Sequence, residues 1–298
     1  MKRRAFIQNS AFCFGALTLM QKNLLSSFFE DPWKITMLRN DIGIFTERGG
    51  TIGFLLSKKG IVVVDSQFPD QSLHLIAELK KRSKEEFEWL INTHHHGDHT
   101  AGNISFKGIV DHVVAHENSL SNQKRVAIAG KTEDKQLYPD KTYATTWCRR
   151  FKKEKICLSY FGPAHTNGDS LVHFQHSNIV HMGDLVFNRR HPVIDKTAGA
   201  NIKNWIEVLN KAIITFDSDT LYIFGHAAAG YEVTGKSEDL KKFADYLEKL
   251  LVFVESEIKS GKTKDEILKA TTIPGADEWK GDGIQRPLGA AYEELTMK

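Results

Sequence analysis

A short run of histidines with one aspartate has the residue types and spacing to bind metal ions. The run covers residues 93–100 and reads THHHGDHT, directly after an apolar segment. Side chains alternate along an extended backbone, so His94 and His96 can point to the same side. The glycine allows a tight turn, after which Asp98 and His99 can face a second point. A surface histidine tract has no reason to alternate in this way, so the pattern predicts two neighbouring positions for a metal such as zinc.

This His-x-His-x-Asp-His pattern after a strand resembles the metallo-β-lactamase fold superfamily of hydrolases. Other segments resemble the remaining motifs of that family, in the same order along the chain. They lie at residues 61–65, 162–166, 182–184 and 225–226. The resemblance implies an α/β fold, namely a four-layer αββα sandwich of two mixed β-sheets flanked by helices.

The resemblance also implies a complete set of ligands for two metal ions, which we expect to be two Zn²⁺, with iron or manganese as alternatives. The ligands would be His94, His96 and His165 for the first ion, Asp98, His99 and His226 for the second, and Asp184 as the bridge. Three imidazoles leave a fourth position open for water, as in catalytic zinc sites. The resemblance also implies that Asp98 and Asp184 are catalytic residues as well as ligands.

The implied activity is hydrolysis of a small ester, lactone, thioester or amide by a hydroxide that bridges the metals. Zinc β-lactamases of the best-known subclass carry a cysteine where Asp184 stands and a lysine shortly after it, whereas the next lysine here is Lys196. We therefore expect weak β-lactam cleavage at best. Two alternatives use the same ligands: a mononuclear iron dioxygenase that acts on sulfur compounds, and a metal-binding protein without turnover.

A few residues outside the ligand set carry weaker signals. Asp65 ends a strand and could either orient a ligand histidine or serve as a turn or cap residue. Arg189 and Arg190 could bind a substrate carboxylate, although solvated surface arginines are more common. Four more side chains are candidates to line a pocket, namely Phe68, Trp147, Asn167 and Tyr231. The remaining histidines, including His95, are expected to be packed or solvated.

The composition describes an ordinary globular protein, with 298 residues of which 41% are hydrophobic and 26% charged. The formal charge of +3 comes from the first 22 residues, which contain four basic and no acidic side chains. The other 36 Lys and Arg nearly balance the 37 Asp and Glu. With no basic stripe left to bind nucleic acid, we expect a small-molecule substrate.

Residues 1–30 are predicted to be an export signal and a linker. A basic start followed by about ten apolar residues is typical of an export signal and too short for a membrane span. Arg3 and Arg4, with Phe6 and Ile7 after them, resemble a twin-arginine signal. An ordinary secretory signal or an amphipathic N-terminal helix is the alternative. We expect a periplasmic protein, with an uncleaved N-terminal tether as one form.

Residues 31–298 are predicted to form a single domain, with a helical extension from about residue 236. Residues 237–260 have the apolar stripe of a long amphipathic helix. After it we expect a short helix at 264–270 and a tail that contains glycine and proline, and residues 130–146 read as a loop. Two cysteines remain in this body, Cys148 and Cys157, which could pair or lie apart on different strands.

Overall fold

The computed structural model describes residues 32–297 and is built on two mixed β-sheets. Seven strands form the first sheet in chain order: β1 (Lys34–Met37), β2 (Ile42–Thr46), β3 (Ile52–Ser57), β4 (Gly60–Val64), β5 (Phe87–Ile91), β6 (Val110–His116) and β7 (Lys141–Tyr143). Strands β2 to β4 run antiparallel and β4 to β7 run parallel. Every residue of β4 is buried, which explains its unbroken apolar sequence.

The later strands form the second sheet and a small pair. They are β8 (Thr146–Phe151), β9 (Glu154–Ser159), β10 (Leu171–Phe174), β11 (Ile179–His181), β12 (Phe187–Asn188), β13 (Leu221–Ile223), β14 (His226–Ala227) and β15 (Thr234–Gly235). Six of them pair in the order β15-β13-β11-β10-β9-β8, while β12 and β14 form a separate parallel pair. Within the six-stranded sheet only β11 and β13 run parallel.

Helices cover the outer faces of both sheets. They are α1 (Pro69–Arg82), α2 (Gly97–Thr100), α3 (Glu117–Gly130), α4 (Ile202–Thr215), α5 (Ser237–Lys259), α6 (Lys264–Ile267) and α7 (Gln285–Thr296). Helix α3 contacts β6 and β7 of the first sheet, and α4, α5 and α7 pack against one another beside the second. The predicted αββα sandwich is therefore confirmed. Among residues 32–297, no helix is both long and apolar enough to cross a membrane.

Two apolar cores hold the layers together. One core lies between the sheets, where Val62 and Ile91 of the first sheet meet Leu158 and Val172 of the second. The other lies between the second sheet and its helices and contains large rings such as Trp205. Burying an apolar side chain such as that of Phe243, which is part of the same core, stabilises the fold by about 1.5–3 kcal/mol.

The extension after residue 236 belongs to the second core. Helix α5 matches the prediction closely, and it buries Leu240, Phe243 and Leu247. The tail contains α7, a helix that was not predicted individually and whose Leu288 and Ala291 are fully buried. Residues from Ile35 onward form one compact unit. The export signal predicted at residues 1–30 lies outside the described residues, so the division into leader and body stays a prediction.

The segment around residue 146 differs from its prediction. Residues 130–146 were expected to be a loop, but they include β7, and β8 follows without having been predicted. Strand β8 is mostly exposed. It therefore lacks the alternation of apolar and polar residues by which a half-buried strand is recognised in a sequence. Cys148 and Cys157 lie directly opposite each other on β8 and β9 and form a disulfide. Of the two open alternatives, pairing is therefore the correct one.

Candidate metal centre

The seven predicted ligands lie close together, on the segments that follow or connect the strands. The loop after β5 carries His94 and His96, with His96 immediately before α2, and α2 itself carries Asp98 and His99. His165 lies between β9 and β10, and Asp184 lies in a single 3₁₀ turn after β11. His226 begins β14, just after β13. Residues far apart in sequence thus meet because neighbouring strands end at the same edge.

Three histidines and one carboxylate oxygen form the first cluster. Nδ1 of His96 lies 3.1 Å from Nε2 of His94 and 2.9 Å from Nε2 of His165. Oδ2 of Asp184 lies 3.9 Å from the His94 nitrogen and 3.5 Å from the His165 nitrogen. Nitrogens bound to one tetrahedral zinc at its usual bond length are about 3.3 Å apart. The three imidazoles therefore converge as ligands of one ion would.

The second cluster contains Asp98, His99 and His226. Nε2 of His226 lies 3.1 Å from Oδ2 of Asp98, and Nε2 of His99 lies 3.9 Å from the same oxygen. Oδ1 of Asp184 lies 3.0 Å from Nε2 of His99 and 3.4 Å from Nε2 of His226. Asp184 thus presents one oxygen to each cluster, which is the arrangement a bridging carboxylate requires.

The donor set fits divalent metal ions. Nε2 of His99 and Oδ1 of Asp184 are buried, and neither atom has a hydrogen-bond partner among the described residues. Leaving such atoms unsatisfied costs about 1–3 kcal/mol each. Imidazole nitrogens and carboxylate oxygens are the donors that zinc and iron prefer in proteins. A cation placed between these atoms would satisfy both of them.

Asp65 fixes the orientation of His99. Its Oδ2 accepts hydrogen bonds from Nδ1 of His99 and from Oγ1 of Thr93, both at 2.8 Å. Its Oδ1 accepts from the backbone N–H of Thr93, also at 2.8 Å. Asp65 is fully buried and has a left-handed backbone with φ of 65°. The two readings of this residue were orientation of a ligand histidine and a turn or cap, and its contacts favour orientation.

Asp195 orients His96 in the same way, and no motif in the sequence pointed to it. Its Oδ2 lies 3.0 Å from Nε2 of His96 and 3.5 Å from Nε2 of His95. It is 99 residues away from His96 along the chain, so only the fold could bring them together. His95 is buried beside Asp195, as a packed histidine was expected to be. Together these three side chains form a small cluster next to the first one.

The two clusters differ in how readily their histidines bind protons. Burial lowers the pKa of His165 to about 3, and burial together with His99 holds the pKa of His94 well below its usual value. Burial is the largest influence on His99 and His226 and by itself lowers the pKa of both, but carboxylates together outweigh it and raise both pKa values: Asp184 and Asp65 for His99, and Asp184 and Asp98 for His226. The first cluster is therefore the less basic of the two.

Two glycines allow the backbone to approach the clusters closely. A Cβ atom on Gly50 would lie 2.1 Å from the ring of His99, and one on Gly225 would lie 2.0 Å from Oδ1 of Asp184. No larger residue fits at either position without moving a predicted ligand. Gly225 was part of a motif noted in the sequence, whereas Gly50 was not singled out.

The two weak arginine candidates differ in the structure. Arg189 is buried and forms an ion pair with Asp239 at 2.9 Å, and its guanidinium lies 5.5 Å from the ring centres of Tyr231 and Trp279. It is therefore neither a solvated surface residue nor free to bind a substrate, and both readings were wrong for it. Arg190 is exposed, in line with a solvated surface arginine.

The other pocket candidates have structural neighbours of their own. Trp147 packs against Trp89 beside the core between the sheets. Asn167 accepts a hydrogen bond from Asn122 on α3. Phe68 lies 5.1 Å below the guanidinium of Arg48. The contacts of these three side chains give them structural roles in packing and hydrogen bonding.

Comparison with known proteins agrees with this geometry. The family model described as the metallo-β-lactamase superfamily matches residues 45–147. The chain is 28% identical over 177 residues to metallo-β-lactamase IND-1 of Chryseobacterium indologenes. The aligned region covers 58% of this chain and 70% of that protein.

Solved structures share the fold at lower identity. A metallo-β-lactamase from Pontibacter korlensis has a TM-score of 0.59 and 19% identity over 72% of this chain and 99% of its own. The sec-alkylsulfatase Pisa1 from Pseudomonas sp. has a TM-score of 0.70 and 13% identity over 88% of this chain. The match spans only 50% of the sulfatase. Because both structures are less than 25% identical to this chain, they establish the fold alone.

Proposed function

We propose that this chain, whose residues 45–147 match the metallo-β-lactamase superfamily model, is a metal-dependent hydrolase that holds two Zn²⁺ ions. The observation that carries this proposal is Asp184, whose two oxygens face two separate groups of ligand atoms. A mononuclear enzyme has no need for a second group on the far side of that carboxylate. The first ion would lie between His94, His96 and His165, and the second between Asp98, His99 and His226.

A pair of zinc ions supplies a water of lowered pKa and polarises a carbonyl oxygen. The protein's own residues decide where the reaction takes place. Asp98 and His96 have the most exposed side chains of the seven ligands, at 33% and 22%. A substrate would therefore approach from their side. His226 and His99 outweigh the effect of burial and hold the pKa of Asp98 below its usual value, so Asp98 stays ionised and can orient an attacking water.

The proposed substrate is a small ester, lactone, thioester or amide. The test combines metal analysis with a substrate panel. Protein purified without added metal should contain about two zinc ions per chain, whereas one iron per chain would indicate the dioxygenase alternative. Hydrolysis of p-nitrophenyl esters, homoserine lactones or glutathione thioesters should stop with EDTA and return with zinc. Hydrolysis that persists after complete metal removal would contradict the proposal.

β-Lactam hydrolysis is the second candidate, and the similarity to IND-1 favours it. Asp184 stands where the best-known zinc β-lactamases have cysteine, which argues for a rate below that of the esters and lactones. Nitrocefin in the same panel decides between the two. A nitrocefin rate far above the other substrates would replace the first candidate with this one.

We also propose that the protein is exported to the periplasm. Two observations support this: the basic and apolar start of the chain, and the disulfide between Cys148 and Cys157, since disulfides persist in oxidising compartments. Full-length protein should appear in the periplasmic fraction, while a variant without residues 1–22 should stay in the cytoplasm with its cysteines reduced. Equal distribution of both forms would contradict export.

A further inference from the structure

The C-terminal helix α7 reaches the beginning of α4 through one carboxylate. Glu294 on α7 has a side chain only 9% exposed. Its Oε2 accepts hydrogen bonds from Nζ of Lys196 at 3.0 Å and from the backbone N–H of Ile202 at 2.8 Å, and its Oε1 accepts from the N–H of Lys203 at 3.0 Å. The first N–H groups of a helix lack partners within it, and negative charge there is favourable. Glu294 therefore caps α4 from the other end of the domain.

The segment directly before α4 supports two histidines of the first cluster. We call residues 193–201 the supporting loop. The carbonyl oxygen of Val193 accepts a hydrogen bond from Nδ1 of His165 at 2.8 Å. Oδ2 of Asp195 accepts one from Nε2 of His96 at 3.0 Å. In both rings, the nitrogen that faces the cluster is thereby left free to bind a metal.

The supporting loop is tied to the backbone around His165 as well. The N–H of Asp195 donates to the carbonyl of His165 at 3.3 Å, and the N–H of Asn201 donates to the carbonyl of Ala164 at 3.0 Å. At its far end, Nζ of Lys196 donates to the carbonyl of Ala200 at 2.9 Å as well as to Glu294. The supporting loop is therefore bound to the backbone beside the first cluster at one side and to Glu294 at its outer side.

We propose that Glu294 is a positioning residue for the first metal cluster. By holding Lys196 and the start of α4, it fixes the supporting loop and thereby the orientation of His96 and His165. This inference rests on the proposed metal-binding function. The C-terminal extension would then contribute to metal binding, although it lies far from the ligands along the chain.

The test compares Glu294→Gln and Lys196→Met with a matched control, Glu293→Gln. Glu293 is the preceding residue on α7 and forms an ion pair with Lys264 at 2.8 Å. Each change is made in two backgrounds: His226→Ala leaves only the first cluster complete, and His165→Ala leaves only the second. Zinc affinity is measured by competition with a chromophoric chelator, and the unfolding midpoint of the metal-free protein is recorded alongside.

Loss of an outer partner of a ligand commonly weakens metal affinity about 10- to 100-fold. We expect Glu294→Gln and Lys196→Met to weaken zinc binding about tenfold in the His226→Ala background and less than about twofold in the His165→Ala background. Glu293→Gln should change neither. Lys196→Met leaves the cap of α4 in place, so it keeps the test valid if Glu294→Gln does not fold.

Equal weakening of both clusters, or a lower unfolding midpoint with unchanged affinities, would show a purely structural role and overturn the proposal. Failure of both single-cluster backgrounds to bind zinc, with Glu294 and Lys196 intact, would instead overturn the proposed function and this inference with it. The two failures are therefore distinguishable.

Discussion

Oδ2 of Asp65 lies 2.8 Å from Nδ1 of His99, and neither side chain is exposed to solvent. Because the carboxylate accepts this hydrogen bond, the proton of a neutral His99 must reside on Nδ1. Its Nε2 is then left with a lone pair that faces Asp184 at 3.0 Å. Asp65 thus determines which nitrogen of His99 can bind a metal.

Replacing Asp65 with asparagine tests this relationship. Asparagine tolerates the left-handed backbone at this position, but an NH₂ group in the place of Oδ2 can accept a hydrogen bond from neither Thr93 nor His99. We expect zinc affinity at the second cluster to fall by about 10- to 100-fold, with little change at the first. Chelator competition in the single-cluster backgrounds measures this. Unchanged affinity at the second cluster would show that Asp65 does not orient His99.

Asp184→Asn should disturb both clusters at once. An amide lacks the negative charge that lies between the two groups of ligand atoms, so second-metal occupancy should fall first. A metal contributes several kcal/mol of charge stabilisation in such reactions, so kcat/KM should fall at least about a hundredfold. The exposed Asp111→Asn serves as the control. Two metals per chain with an unchanged rate would mean that Asp184 is not the bridge.

Gly50→Ala should weaken metal binding at the second cluster through a steric clash alone. Its new methyl group would lie 2.1–2.7 Å from three ring atoms of His99, so the ring or the β2–β3 loop must shift. Gly97→Ala is the matched control, because a Cβ at Gly97 meets nothing within 4 Å although the residue lies inside the ligand motif. We expect loss of the second zinc only in the first variant. Full metal content in Gly50→Ala would contradict the close approach.

The seven predicted ligands come from short, recognisable motifs, and the structure brings them together in two neighbouring groups, while metal binding by them stays a prediction. His94 and His96 converge as their alternation indicated. The sandwich and the long helix α5 followed from apolar periodicity in the same way. These features depend on local sequence, so they could be predicted from it.

The parts that the sequence missed depend on tertiary contacts. Asp195 and Glu294 are ordinary acidic residues until the fold places them beside His96 and Lys196. Arg189 reads as a surface residue, and only the aromatic rings that pack around it reveal a buried one. Strand β8 lacks alternating burial because it is an edge strand, held by β9 and the disulfide. No local pattern encodes these relationships.

The disulfide should contribute to stability without affecting metal binding. Cys148 and Cys157 close a short loop across the β8–β9 hairpin, and chain-entropy estimates for such a loop give about 2–3 kcal/mol. We expect Cys148→Ala/Cys157→Ala to lower the free energy of unfolding in urea by about that amount. Zinc content and turnover should stay at the level of the parent protein. An unchanged urea midpoint would contradict the stabilising role.

Acidification should remove the metal of the second cluster before that of the first. In the metal-free protein the pKa of His94 and His165 is held low, so these ligands stay neutral as pH falls from 7 to 5. Asp184 raises the pKa of His99 and His226, so protons compete with zinc for these nitrogens over that range. Affinity falls about tenfold per pH unit for each proton that the metal must displace.

Zinc content after dialysis at pH 7.5 and at pH 5.5 checks this order. We expect about two ions per chain at the higher pH and about one at the lower. The single-cluster backgrounds assign the loss: at pH 5.5 the His165→Ala protein should release its zinc, and the His226→Ala protein should retain it. The opposite order would mean that protonation of the first cluster, not of the second, limits metal binding in acid.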